Sequence, residues 1–195
     1  MNRVQRGVLV FTLVLMVTVL AAATAGAKDM GSITMPDTLS GEGQDLILNG
    51  AGYRTKFFFK IYGCGLYTTH KEQDANKVIL ADEPMGVRMH FVFRKVSGKE
   101  MAEMLDKGFA KSTKGNTAPI KEQIDHLLAL MPENLLRGDI VDLFYVPGRG
   151  IVCYINGKYT GEDPGLDFKQ AVFGIWLGDE PVNETLKKQM LGIED

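Results

Sequence analysis

Residues 46–67 read LILNGAGYRTKFFFKIYGCGLY, and the way this run is cut decides the fold. Its aromatic, β-branched and glycine content points to sheet. If the strand is continuous, Arg54, Phe58, Tyr62 and Leu66 share one face by period two, and Arg54 stands roughly 26 Å from Tyr62. If the chain reverses near residues 55–57, the two become neighbours on adjacent strands. Neither Gly nor Pro stands at that point, so turn chemistry leaves both readings open. Arg54 is a permanent cation inside a largely apolar run. Burying such a group without a partner costs several kcal/mol. Its partner is either a carboxylate of the same chain or an anion entering a cleft, and the residues leave both open.

Working outward, residues 33–35 form a short first strand that turns at Pro36-Asp37. Residues 87–93 alternate Met89, Phe91 and Phe93 against Arg88, His90 and Arg94, as a half-buried strand does, and His90 reads as a satisfied strand-edge group. Ser97-Gly98-Lys99-Glu100 is a capping box. It opens a helix on which Met101, Met104, Leu105, Gly108 and Phe109 make one stripe. A second helix spans about residues 118–131 and is closed by Pro132. Two strands follow, at 140–146 and 151–155, joined through Pro147-Gly148-Arg149-Gly150. Asn156-Gly157 is a type I′ turn signal leading into Lys158-Tyr159. Phe168, Val172, Ile175 and Trp176 share a face of the next helix, and Pro181 and Asn183 start a last one that ends at Leu191. Strands, two helices, a hairpin and further helices predict an α+β fold, an antiparallel sheet covered on one side by helices.

The chain has 195 residues, which suits one well-buried domain. With a formal charge of −2 and no basic cluster, nothing in it invites nucleic acid. Arg3 and Arg6, an apolar run from Gly7 to Leu20 and the small residues after Ala21 have the pattern of a secretory signal. The expected cut follows Ala27, so that residues 1–27 are the signal and 28–195 the domain. An uncleaved anchor is the rival reading, since the run approaches the ~20 apolar residues that span a bilayer. No later segment is long and apolar enough to span, so export predicts a soluble, periplasmic destination. Cys64 and Cys153 each fall within a strand, which favours two separate buried thiols over a disulfide. His70, His90 and His126 lack the spacing of metal ligands. Neither a nucleophile elbow nor a phosphate-binding glycine loop is present, and no cofactor is expected.

Several of these segments together resemble the chalcone isomerase-like family, most closely its exported bacterial members. They are Asn49-Gly50-Ala51-Gly52-Tyr53-Arg54, Phe59-Lys60-Ile61-Tyr62, Gly65-Leu66-Tyr67, residues 88–93, residues 97–109, Val146-Pro147-Gly148, Asn156-Gly157-Lys158 and Ile175-Trp176-Leu177-Gly178. The resemblance implies an open-faced β-sandwich with a ligand cleft between the large sheet and the helices. It also favours the hairpin reading of 46–67. In fatty-acid-binding members an arginine and a tyrosine hold the carboxylate, and these match Arg54 and Tyr62. Met101, Met104, Leu105 and Phe109 would then line the acyl tail; ordinary core packing is the alternative for that stripe, as it is for Phe58, Phe91 and Trp176. The remaining catalytic positions of the isomerase fall on Tyr62, Val92, Met101, Gly108 and Ile175 or Trp176, mostly apolar here. A non-catalytic binder of a fatty acid or similar amphipathic anion is therefore expected. Two alternatives stand beside it: a chalcone-flavanone isomerase, in which Arg54 would stabilise the developing charge, and an envelope module that binds a protein.

Overall fold

The computed structural model describes residues 26–193; the N-terminal apolar run, read above as a signal, lies outside the described residues. The chain reverses within the aromatic run. Strand β4 (Gln44–Lys56) pairs antiparallel with β5 (Phe59–Thr68), with Arg54 opposite Tyr62. The two-residue turn between them is Phe57-Phe58, slightly beyond the 55–57 expected. Both residues are in the left-handed region, at φ 48° and 68°. That is the type I′ geometry, whose twist matches that of the flanking strands.

Around this hairpin a seven-stranded antiparallel sheet assembles. On one side of it lies β3 (Thr38–Gly41). On the other come β6 (Met85–Phe91), β9 (Ile140–Val146), β10 (Gly150–Ile155) and β11 (Lys158–Asp163), in that order. The β10–β11 turn is the Asn156-Gly157 pair, at φ 52° and 75°. Two small ribbons complete the strands. One pairs β1 (Ala27–Asp29) with β2 (Thr34–Pro36); the other pairs β7 (Lys95–Ser97) with β8 (Asn134–Leu136).

Helices cover one face. Ser97 and Glu100 cap α2 (Gly98–Ser112) reciprocally, as the capping box predicts. A 3-10 turn, Ala118–Ile120, leads into α3 (Lys121–Leu130). Helix α4 (Leu166–Leu177), apolar over most of its length, is buried on almost every side. Helix α5 (Glu184–Met190) packs on β4, where Gly50 and Gly52 leave room for the Gln189–Met190 backbone and the Gln189 side chain. The main core lies between this layer and the sheet, with Tyr62, Phe91, Phe109, Phe168 and Trp176 at its centre. A smaller core on the opposite face gathers Met35, Leu39, Leu46, Leu48, Tyr67 and Phe144, with β2 and β3 contributing Met35 and Leu39. The α+β architecture expected from the element order is the one found.

Several features were not anticipated, among them the short strands β1, β3, β7 and β8. A short helix, α1 (Ala75–Leu80), is N-capped by Asp74. Its C-terminal carbonyls are held by Lys169, a fully buried lysine of α4 whose ammonium donates to Val78, Ile79 and Ala81 at 2.7–2.8 Å. His90 does not lie at the edge of the sheet. It is on β6, between β5 and β9, half-buried on the face opposite the main core. Cys64 and Cys153 are both free and buried. Their strands, β5 and β10, are separated by β6 and β9, roughly 14 Å apart at normal strand spacing, beyond disulfide reach.

Candidate functional site

Arg54 lies two residues before the Lys56 end of β4, where the ladder with β5 slips register between Arg54 and Thr55. The extra residue is Ile61, so it is β5 that bends beside Arg54. The guanidinium carbon stands 5.8 Å from the centre of the Tyr62 ring. Among the described residues no carboxylate pairs with Arg54, and its Nη1 is buried without a hydrogen-bond partner. An unsatisfied buried donor of this kind costs about 1–3 kcal/mol.

The side chain lines a cavity of about 220 Å³ between the hairpin and α2. Glu100, Glu103, Met104, Lys107 and Lys111 approach it from α2, and Lys56 from β4. The helical residues recur every three or four positions, so they form one face. Four cations stand against two carboxylates; Lys111 also meets Glu180 at 4.0 Å, and Glu100, bonded to the Ser97 amide and hydroxyl, keeps its charge. Those Ser97 hydrogen bonds hold the Glu100 carboxyl below its ordinary range. The cavity therefore carries an excess of positive charge.

Beside it lies a second cavity of about 210 Å³, lined by Phe57, Phe59, Ile61, Phe93 and Val96. It shares Lys56, Glu100 and Met104 with the first. Ligand pockets usually enclose about 300–1,000 Å³; neither cavity reaches that alone, and the two together do. One is bordered mainly by charged side chains with a cationic excess, the other by aromatic ones, so the pair suits a molecule with an anionic head and an apolar body.

Tyr62 lies next to Arg54, on the same face of the adjacent strand, as the hairpin reading requires, but it is buried in the main core and lines neither cavity. Its hydroxyl accepts a hydrogen bond from Trp176 Nε1 at 3.1 Å, and among the described residues nothing accepts its proton. Burial holds the phenol well above the ordinary tyrosine range, against the opposing influence of Arg54 and the Trp176 bond. It remains a neutral donor at every physiological pH.

The α2 stripe divides. Met104 is half-buried and lines both cavities. Met101, Leu105 and Phe109 are buried in the closed main core, where Phe109 stacks on Phe168 at 5.8 Å. Phe91 and Trp176 belong to the same core. Phe58 does not face inward at all; it is fully exposed at the turn. The open apolar surface next to Arg54 is thus supplied by Phe57, Phe59 and Phe93, not by the inner face of α2. Of the family's catalytic positions, Met101, Ile175 and Trp176 are buried apolar groups, and Gly108 lies against Ile175.

The histidines lie apart from this site and from one another. His126 meets Asp163 at 2.8 Å and His70 approaches Glu83 at 3.9 Å. Among the described residues no cluster has the makings of a metal site, and no helix is long and apolar enough to cross a membrane.

A family model described as chalcone isomerase-like matches residues 27–192 of this chain. Among solved structures, that of a fatty-acid binding protein from Arabidopsis thaliana is similar, with a TM-score of 0.68 over 85% of this chain and 96% of that one. At 15% identity the likeness is one of fold. No curated protein matches.

Proposed function

The chain belongs to the chalcone isomerase-like family, and on that premise we propose that it is an exported, non-catalytic carrier of a fatty acid or a similar amphipathic anion. Arg54 takes the carboxylate, with the buried Tyr62 ring packed behind its guanidinium at 5.8 Å. Met104 lies at the junction of head and tail, and the tail occupies the aromatic cavity at the hairpin. Met101, Leu105 and Phe109 form the wall behind it. Export leads to a periplasmic location. The observation that carries this reading is the buried, unpartnered Nη1 of Arg54 in a cation-rich cleft. The similarity in fold to a plant fatty-acid binding protein supports it.

A charge-assisted hydrogen bond contributes about 1.5–3 kcal/mol, and each buried methylene about 0.8 kcal/mol. The tail therefore supplies most of the affinity and Arg54 the orientation. The isomerase reading has no comparable support, because most of the positions that would orient a chalcone are apolar in this chain. The test is organic extraction of protein purified from its own host, followed by mass spectrometry. Wild type is expected to yield an acyl species and Arg54→Ala to yield little or none, with circular dichroism unchanged. Absence of any acyl species from wild type, or ring closure of an added chalcone above the solution rate, would sink the reading.

A further inference from the structure

Three consecutive phenylalanines occupy the tip of the β4–β5 hairpin. Phe57 is 80% exposed, Phe58 104% and Phe59 61%. The tip is costly in two ways. Bulky side chains stand in water, and two of them adopt positive φ, where such residues are rare and strained. The same chain makes the same turn elsewhere with Asn156-Gly157, the relaxed choice. Folding alone does not ask for phenylalanine here.

The charge around the tip is as particular as its apolarity. Lys56 lies 6.0 Å from the Phe57 ring, and Lys60 lies 4.0 Å over Tyr53 on the outer side of the hairpin. Lys95 lines the cavity that Phe57 and Phe59 also line. It pairs in register with Leu136, which is itself 50% exposed. The neighbouring carboxylate, Glu100, acts on both Lys56 and Lys95 and offsets one of the three lysine charges. In a chain of formal charge −2 this end is locally cationic.

We propose that the tip of the β4–β5 hairpin docks this protein on an anionic lipid bilayer, with Phe57, Phe58 and Phe59 entering the interface and Lys56, Lys60 and Lys95 meeting the head groups. The chemistry is that of interfacial anchors, aromatic rings flanked by lysine. A two-residue turn is a point, whereas a protein partner or a second copy needs a face of about 800 Å² on each side; a bilayer accepts a point. The inference goes beyond the carrier reading and does not rest on it, because docking requires no ligand in the cleft.

Protein purified from its own host is mixed with phosphatidylcholine vesicles and, separately, with equimolar phosphatidylcholine–phosphatidylglycerol vesicles, then sedimented. Wild type is expected on the mixed vesicles, less on the neutral ones, with partition falling as salt is added. Phe57→Asn/Phe58→Gly installs the turn the chain already uses at 156–157, so it is expected to unfold no earlier than wild type. Its partition is expected to fall by about tenfold or more. Wild type remaining in solution, or the double variant binding as wild type does, would overturn the proposal. So would a wild-type dimer in sedimentation velocity that the double variant converts to monomer, which would make the tip a contact between copies.

Discussion

Replacing Arg54 by methionine separates stability from binding. In the folded chain Nη1 is buried without a partner, a deficit of about 1–3 kcal/mol. The stack of the guanidinium on Tyr62, at 5.8 Å, returns about 0.5–1 kcal/mol. Methionine is of similar length and has no donor to leave unsatisfied. It also removes a cation from a cavity that Lys56, Lys107 and Lys111 share. The ligand-free variant is therefore expected to gain about 1 kcal/mol, a rise of about 2–4 °C in Tm for a chain of this size. Binding moves the other way. Loss of a charge-assisted pair of about 1.5–3 kcal/mol weakens Kd roughly 10- to 150-fold. Urea unfolding of the delipidated proteins reads the first quantity, and calorimetric titration with laurate reads the second. A variant destabilised by about 2 kcal/mol or more would identify Arg54 as half of a structural ion pair and refute the reasoning. Stabilisation with unchanged laurate affinity would refute the assignment of the head group.

Arg88 on β6 and Asp142 on β9 form a bidentate pair at 2.7 and 2.8 Å across the sheet. Asp142→Ala is expected to cost about 3–5 kcal/mol by stranding the guanidinium, and Arg88→Met added to it should restore most of that loss in urea unfolding. The Glu42 carboxyl is held below its ordinary 4.5, first by the Tyr154 hydroxyl and then by Arg149, partly offset by burial. The unfolded chain therefore binds the proton first as pH falls. The stability Glu42 contributes is fully present above that ordinary value and is lost as pH drops through the depressed one. Glu42→Gln should flatten the acid limb of a plot of urea midpoint against pH.

Much of this fold is legible from local chemistry. Ser97 and Glu100 announce α2, Asn156-Gly157 announces the β10–β11 turn, and the alternation of 87–93 announces β6, because each signal is satisfied by its own neighbours. The features that could not be read depend on distant partners. Phe57-Phe58 carries none of the residues that a type I′ turn prefers, so the reversal showed only through the family resemblance. Lys169 is an ordinary solvated residue until α1 brings three carbonyls to it. Arg54 stood out because a guanidinium in a largely apolar run needs an explanation. The lining of its cleft by Glu100, Glu103, Lys107 and Lys111 is a helical stripe that could have been counted, but it gains meaning only once the hairpin is placed beside it. Met101, Leu105 and Phe109 share a face with Met104, and periodicity alone cannot say which of the four reaches open space.

Gly108 and Gly174 bring α2 and α4 into contact. A Cβ at Gly108 would meet Ile175 at 2.9 Å, and one at Gly174 would meet Ser112 at 2.8 Å. At Gly108 the wall of the Arg54 cavity is bare backbone with Ile175 packed behind it, so the cleft has no side chain to trim at that point. Phe57, Phe59 and Phe93, on the open side, can change size without disturbing the packed helices. Whatever length of guest the cleft prefers, that preference is written in the side chains freest to vary.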